Sequence, residues 1–208
     1  MDAATDEKKP PTDLWSVKVP TRYHTVTFPP AHGGGDVVLR DPTTEEFLDN
    51  IDSADERAMR AVYAFRGAKV GEGLDREKWW RSLPEPVTKL IVKYSTAFLT
   101  SESEVVEVKP GARGRRWVLG GEHVVELCEL VHGEVFDVKS SALSPARKQA
   151  ALAAKSVGRD IADKLLALPA YRGVKVLDLY NTIHAPTAQE EIDFFSARVV
   201  TTTAPPIL

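Results

Sequence analysis

Residues 83–105, LPEPVTKLIVKYSTAFLTSESEV, and residues 168–191, LPAYRGVKVLDLYNTIHAPTAQEE, follow one plan. Each opens Leu-Pro, sets a Lys five residues ahead of a Tyr (Lys89 and Tyr94; Lys175 and Tyr180), and has Thr two residues later (Thr96, Thr182). Val87, Leu90, Ile91, Tyr94 and Phe98 recur at the spacing of one helix face, as do Val176, Leu179, Tyr180 and Ile183. Each stretch then reaches a Ser/Thr-x-x-Glu pattern, Ser101 with Glu104 and Thr187 with Glu190. In that pattern the hydroxyl and the carboxylate satisfy the first free N–H groups of a new helix. The pairing predicts two related helix-turn-helix units, and with them a mainly α fold.

Working outward, residues 23–28 (YHTVTF) and 36–40 (DVVLR) are β-rich and separated by Pro-Pro and by Gly33, Gly34 and Gly35. They predict a short N-terminal β-hairpin. The glycines lead into Asp36 and a strand, where a phosphate loop needs Gly-Lys-Ser/Thr and a helix. Thr43 with Glu46, and Ser53 with Glu56, predict two capped helices, the second running through Met59, Val62, Tyr63 and Phe65. Residues 123–132, HVVELCELVH, read as a helix with Val124, Leu127, Cys128 and Val131 inward, and residues 136–138 as a short extended piece. Ser144-Pro145 starts a helix expected to reach Leu168. The termini, rich in proline or in short apolar grips, predict extended arms. The expected organisation is an N-terminal arm (1–22), a β-hairpin plus helical unit (23–108), a second helical unit (109–198) and a C-terminal tail (199–208).

A formal net charge of −3 argues against bulk nucleic-acid binding, and a hydrophobic content of 43% is enough for a core. The single Cys128 removes any intrachain disulfide framework. The polar, proline-rich start lacks the apolar stretch of a secretory signal, and no run is long enough to span a membrane.

The chemistry-bearing candidates each meet a plainer reading. His123, Glu126, Cys128 and His132 lack the HExxH spacing of a zinc helix, so no metal is expected. His184, Asp178 and Tyr180 read as a helix-end histidine, a solvated acid and a packed ring. No nucleophile or cofactor motif occurs, which predicts a protein that is not an enzyme and takes no cofactor. Arg113, Arg115 and Arg116, with Trp117 beside them, make a basic loop that suits phosphate or an acidic partner, the first being the alternative function of a nucleic-acid-contacting accessory protein of the particle; a small cytoplasmic enzyme is the further alternative. Trp15, Trp79, Trp80 and Trp117 are the interface candidates, because tryptophan concentrates binding energy.

The order VVLRDPT, then TTEEFL, the link GAKVGEGLD, then WWRSLPEPVTKLIVKYSTAF and a capped acidic helix resembles the phage tail assembly chaperones and tail or baseplate accessory proteins. The resemblance covers residues 24–107 and, through the repeated closing pattern, 168–197. It implies bacteriophage tail or baseplate assembly by protein–protein interaction, as a structural part of the virion or as a chaperone in the host cytoplasm. Other particle proteins, and further copies of the chain, are the partners it implies, and it brings no catalytic residues.

Overall fold

The computed structural model of the chain describes residues 10–65, 68–69, 75–100, 105–111 and 114–193. In chain order the elements are β1 (Thr12–Asp13), β2 (Tyr23–Phe28), β3 (Gly35–Arg40), α1 (Thr44–Asp49), α2 (Ala54–Ala61), β4 (Val62–Phe65) and β5 (Ala68–Lys69). Then come α3 (Arg76–Ser82), α4 (Glu85–Thr100), β6 (Val105–Gly111), β7 (Gly114–Leu119), β8 (His123–Cys128), α5 (His132–Ser140), α6 (Pro145–Val157), α7 (Ala162–Ala167) and α8 (Ala170–Ile183).

The fold is mixed α/β, not mainly α with one hairpin. Among the described residues two four-stranded sheets organise it, in orders β2-β3-β4-β5 and β1-β8-β7-β6. The expected hairpin exists, with Tyr23 opposite Arg40 through Phe28 opposite Gly35. It is extended because α2 stops at Ala61 and the chain enters β4 at Val62. Val62 is β-branched, and it lies buried opposite Leu39.

The second sheet corrects the helix expected at 123–132. Val124, Leu127 and Val131 fit a helical stripe, but β8 has Val125 and Leu127 fully buried while Glu126 and Cys128 alternate with them in solvent. A period of two won because β7 supplies a partner ladder from Gly114 opposite Cys128 to Leu119 opposite His123. Val131 is consequently outside, at 68% exposure. Residues 136–138, expected to be extended, lie in α5. The helix expected from Ser144 to Leu168 is two, since Gly158 takes a left-handed φ of 70° after α6, with α7 following.

Both Leu-Pro stretches stand between a short helix and a long one: α3 and α4 flank Leu83-Pro84, and α7 and α8 flank Leu168-Pro169. Val87 and Ile91 are buried as the stripe requires, whereas Tyr94 is 41% exposed. The Thr187–Glu190 box forms, and the Ser101–Glu104 box lies outside the described residues. Residues 1–9 and the C-terminal tail also lie outside them. Residues 10–22 are no free arm: β1 pairs in parallel with β8, and Leu14, Trp15 and Val19 enter the larger core.

That larger core joins Trp117, Leu119, Val125 and Leu127 of the second sheet to α6, α7 and α8. A smaller one sets Val26, Phe28, Val37 and Leu39 against Ala58, Val62, Val87 and Ile91. Residues 40–46 (RDPTTEE) tie the halves together. Thr44 donates from both its N–H (2.8 Å) and its hydroxyl (2.9 Å) to the Leu168 carbonyl, and the Ala170 N–H donates to the Pro42 carbonyl at 2.8 Å. The Asp41 carboxylate is fully buried; it accepts from the Arg22 N–H at 2.7 Å and from Arg22 Nε and Nη2 at 3.2 Å each.

Glu46 completes this joint. It accepts from both terminal nitrogens of Arg40 at 2.9 Å and from the Thr43 N–H at 2.9 Å, while the Thr43 hydroxyl accepts from the Glu46 N–H. Burial alone would push its carboxyl up, but the Arg40 and Thr43 hydrogen bonds and the charges of Arg40 and Arg76 outweigh it, leaving it below the usual glutamate value. A depressed carboxylate adds stability that is present above the unfolded value of 4.5 and is lost as pH falls through the folded one. Glu46→Gln is therefore expected to flatten the acid limb of a stability–pH curve below the ordinary glutamate range. Urea unfolding at stepped pH reads it; an unchanged acid slope would refute this assignment.

Candidate functional site

A groove of about 580 Å³ opens where α5, α6 and the C-terminal end of α8 meet the exit of β8. Leu130, Val135, Leu152 and Leu177 give it an apolar lining. Gln149 from α6 and Asn181 from α8 add carboxamides, and Lys139 from α5 adds a cation. Helix α5 forms one wall without sinking into the body, because Val138 is its only buried side chain. It leaves Phe136 at 61% exposure, its ring 6.4 Å from that of His132, which lines the groove.

His184 fixes the groove's far end. The Leu130 N–H donates to its Nε2 at 2.8 Å, so the neutral ring carries its proton on Nδ1 and donates it to the Tyr180 carbonyl at 2.9 Å. The ring lies 4.3 Å from that of Tyr180, whose hydroxyl burial pushes above the usual tyrosine value. With both ring nitrogens committed to backbone, His184 positions the β8–α5 connection against α8. Asp178, also on α8, is exposed.

The interface candidates divide. Trp15 and Trp117 are buried in the larger core, at 8% and 4% exposure. Trp79 and Trp80 are half-buried on α3 with ring centroids 6.3 Å apart, and Trp79 lies 6.0 Å from Phe65 at the rim of the smaller core. The basic loop is largely strand: Arg115 and Arg116 belong to β7, Arg116 Nε stands 3.4 Å from Glu126 across the ladder, and Arg113 lies outside the described residues. Pairing with Glu126 offsets the charge of Arg116 alone.

His123 and Cys128 begin and end β8, and among the described residues no three His, Cys, Asp or Glu side chains gather as metal ligands. Burial, and then the charge of Arg172, hold His123 below the usual histidine value. Arg172 is itself 4% exposed, beside Tyr171. His132, Tyr180 and His184 stand out in the sequence one by one, but nothing there brings them together, since the groove's walls come from segments separated along the chain. The nearest sequence signal was the stripe of α8, which supplies Tyr180 and, one turn on, His184.

Among the described residues no helix is long and apolar enough to cross a membrane. No protein-family model, no curated protein and no solved structure matches this chain.

Proposed function

We propose that this chain is a non-enzymatic structural or assembly component of a phage-type tail or baseplate, acting by docking an apolar segment of a partner particle protein at the α5 groove. One observation carries the docking part: Val131, which precedes α5, and Phe136 on it are 68% and 61% exposed beside the apolar lining of the groove, and α5 itself buries only Val138. A phenylalanine moved from water into an interface contributes about 1.5–3 kcal/mol, and apolar residues left outside beside a groove mark contact surfaces. The tail or baseplate assignment rests on the resemblance of residues 24–107 and 168–197 to that family.

Quantitative mass spectrometry of purified particles, compared with the lysate, tests the reading. Fixed stoichiometry in particles makes the chain a structural subunit; abundance in lysate with absence from particles makes it a chaperone. Phe136→Glu is expected to reduce its association with particle proteins at least tenfold while leaving the fold intact, since that side chain is mostly in water. Association with neither particles nor particle proteins would overturn the assignment, and a Phe136→Glu chain that associates normally would overturn the groove.

A further inference from the structure

We infer that the α5 groove takes an extended segment of a partner protein in which apolar side chains are accompanied by Asp or Glu. This rests on the docking reading above and adds to it the chemistry of the occupant. His132, Val135 and Lys139 line the groove from α5 at the spacing of one helix face, and Leu177 and Asn181 do so from α8. Such a site holds its ligand by the apolar surface it takes out of water, and orients it by the few polar groups set among that surface.

The carboxamides say what shape the occupant has. Gln149 and Asn181 stand exposed on different walls, and neither side chain makes a hydrogen bond among the described residues. A carboxamide carries an acceptor and two donors side by side, the complement of a peptide unit's N–H and C=O. A helical occupant would spend those backbone groups on itself and set both carboxamides against side chains. An extended one offers them, as strand-like peptides do in other recognition sites.

Charge selects the partner. Lys139 lines the groove, is exposed, and makes no ion pair among the described residues. A second ammonium, that of Lys148, is held at the same end of α5 by donating to the Lys139 carbonyl at 2.8 Å. No Asp or Glu lines the groove. The Glu134 carboxylate accepts from the Val131 N–H at 3.1 Å, and Asp137 and Asp178 are exposed outside the lining. The groove is thus locally basic on a chain of net charge −3, and opposite charge across a contact fixes register and partner choice. Residues 194–208 have apolar side chains but no Asp or Glu, and they carry Arg198, so the chain's own tail lacks the charge that Lys139 asks for.

Display selection of short random peptides on the full chain, followed by polarisation titration of the most enriched one, tests this. The enriched sequences are expected to combine apolar residues with Asp or Glu. Replacing that acid by its amide is expected to weaken binding about threefold, and Lys139→Glu about fivefold, the scale of an exposed ion pair. A peptide with Lys in place of the acid is expected to bind Lys139→Glu more tightly than the parent, a gain that loss of fold would not produce. Peptides that lose binding to Phe136→Glu but show no preference for an acid would overturn this inference and leave the docking reading standing. Peptides indifferent to Phe136→Glu, or no enrichment at all, would overturn both. Displacement of the enriched peptide by an equal concentration of a synthetic peptide of residues 194–208 would give the groove to the tail instead. Self-association of the parent that is lost in Phe136→Glu would give it to a second copy, and either result overturns the inference.

Discussion

Gly173→Ala is expected to destabilise the protein by about 3 kcal/mol, the upper end of what overpacking costs. A Cβ at Gly173 would lie 1.8 Å from the Thr44 hydroxyl oxygen and 2.8 and 2.9 Å from the Thr44 Cβ and Cγ2. No rotamer relieves this, because the Thr44 hydroxyl is held on the Leu168 carbonyl and Thr44 itself is fully buried. Nor can α1 and α8 simply part. The Thr44 N–H to Leu168 and Ala170 N–H to Pro42 hydrogen bonds fix their separation on both sides of the contact. The helix-propensity gain of alanine over glycine, about 1 kcal/mol, offsets only part of the clash. For a chain of this size the loss corresponds to a Tm lower by roughly 10 °C. Thr44→Ala removes the two side-chain atoms beyond Cβ, so the double variant should be less destabilised than the sum of the singles. A Gly173→Ala chain as stable as the parent would show that the α1–α8 contact is looser than described.

Asp41→Asn is expected to cost about 3 kcal/mol, the low end of the range for removing one partner of a buried ion pair. The carboxylate takes three hydrogen bonds from Arg22, and an amide there would face donors with a donor. Arg22 keeps 29% of its side chain exposed, so water takes up part of the orphaned charge, which is why the low end applies. The guanidinium also lies 3.6 Å over the Tyr171 ring, whose hydroxyl donates to the Pro20 carbonyl. Losing Asp41 therefore loosens the hold of residues 20–22 on α8. The acid behaviour has a definite sign. Burial raises the Asp41 carboxyl above its ordinary value of 3.8, and Arg22 and Arg40 only draw it part of the way back. A raised carboxyl contributes stability that is present below 3.8 and is lost as pH rises through the folded value. Asp41 and Glu46 thus pull the acid limb in opposite directions. Asp41→Asn should steepen the fall in stability on acidification, just as Glu46→Gln flattens it. Urea midpoints for both variants at stepped pH read the two slopes together; equal slopes would sink this division of roles.

Several local features were legible from residue order. The boxes at Thr43–Glu46 and Thr187–Glu190, the Ser144-Pro145 helix start and the β2–β3 hairpin form where their side chains demand, because each involves partners within a few residues. The stripe of α8 likewise buries Val176, Leu179, Tyr180 and Ile183. The errors cluster where a short apolar run satisfies both periods. HVVELC places Val124 and Leu127 on a helical stripe and Val125 and Leu127 on a strand face alike, and only β7 alongside decides between them. The same holds for Val62 to Phe65, which extend a helix by pattern and join a sheet in space.

Sequence by itself determined the helix starts after Thr43, Ser53 and Ser144, the first hairpin and the stripe of α8, since capping and periodicity are short-range physics. Tertiary structure alone decided that β4 to β8 are strands, that Trp15 and Trp117 fill a core, and that α5 stands over a groove. It also set Asp41 against Arg22 and Gly173 against Thr44. Each of those outcomes depends on which distant segment removes water from a residue or completes its hydrogen bonds, and that information is carried by no local stretch of the chain.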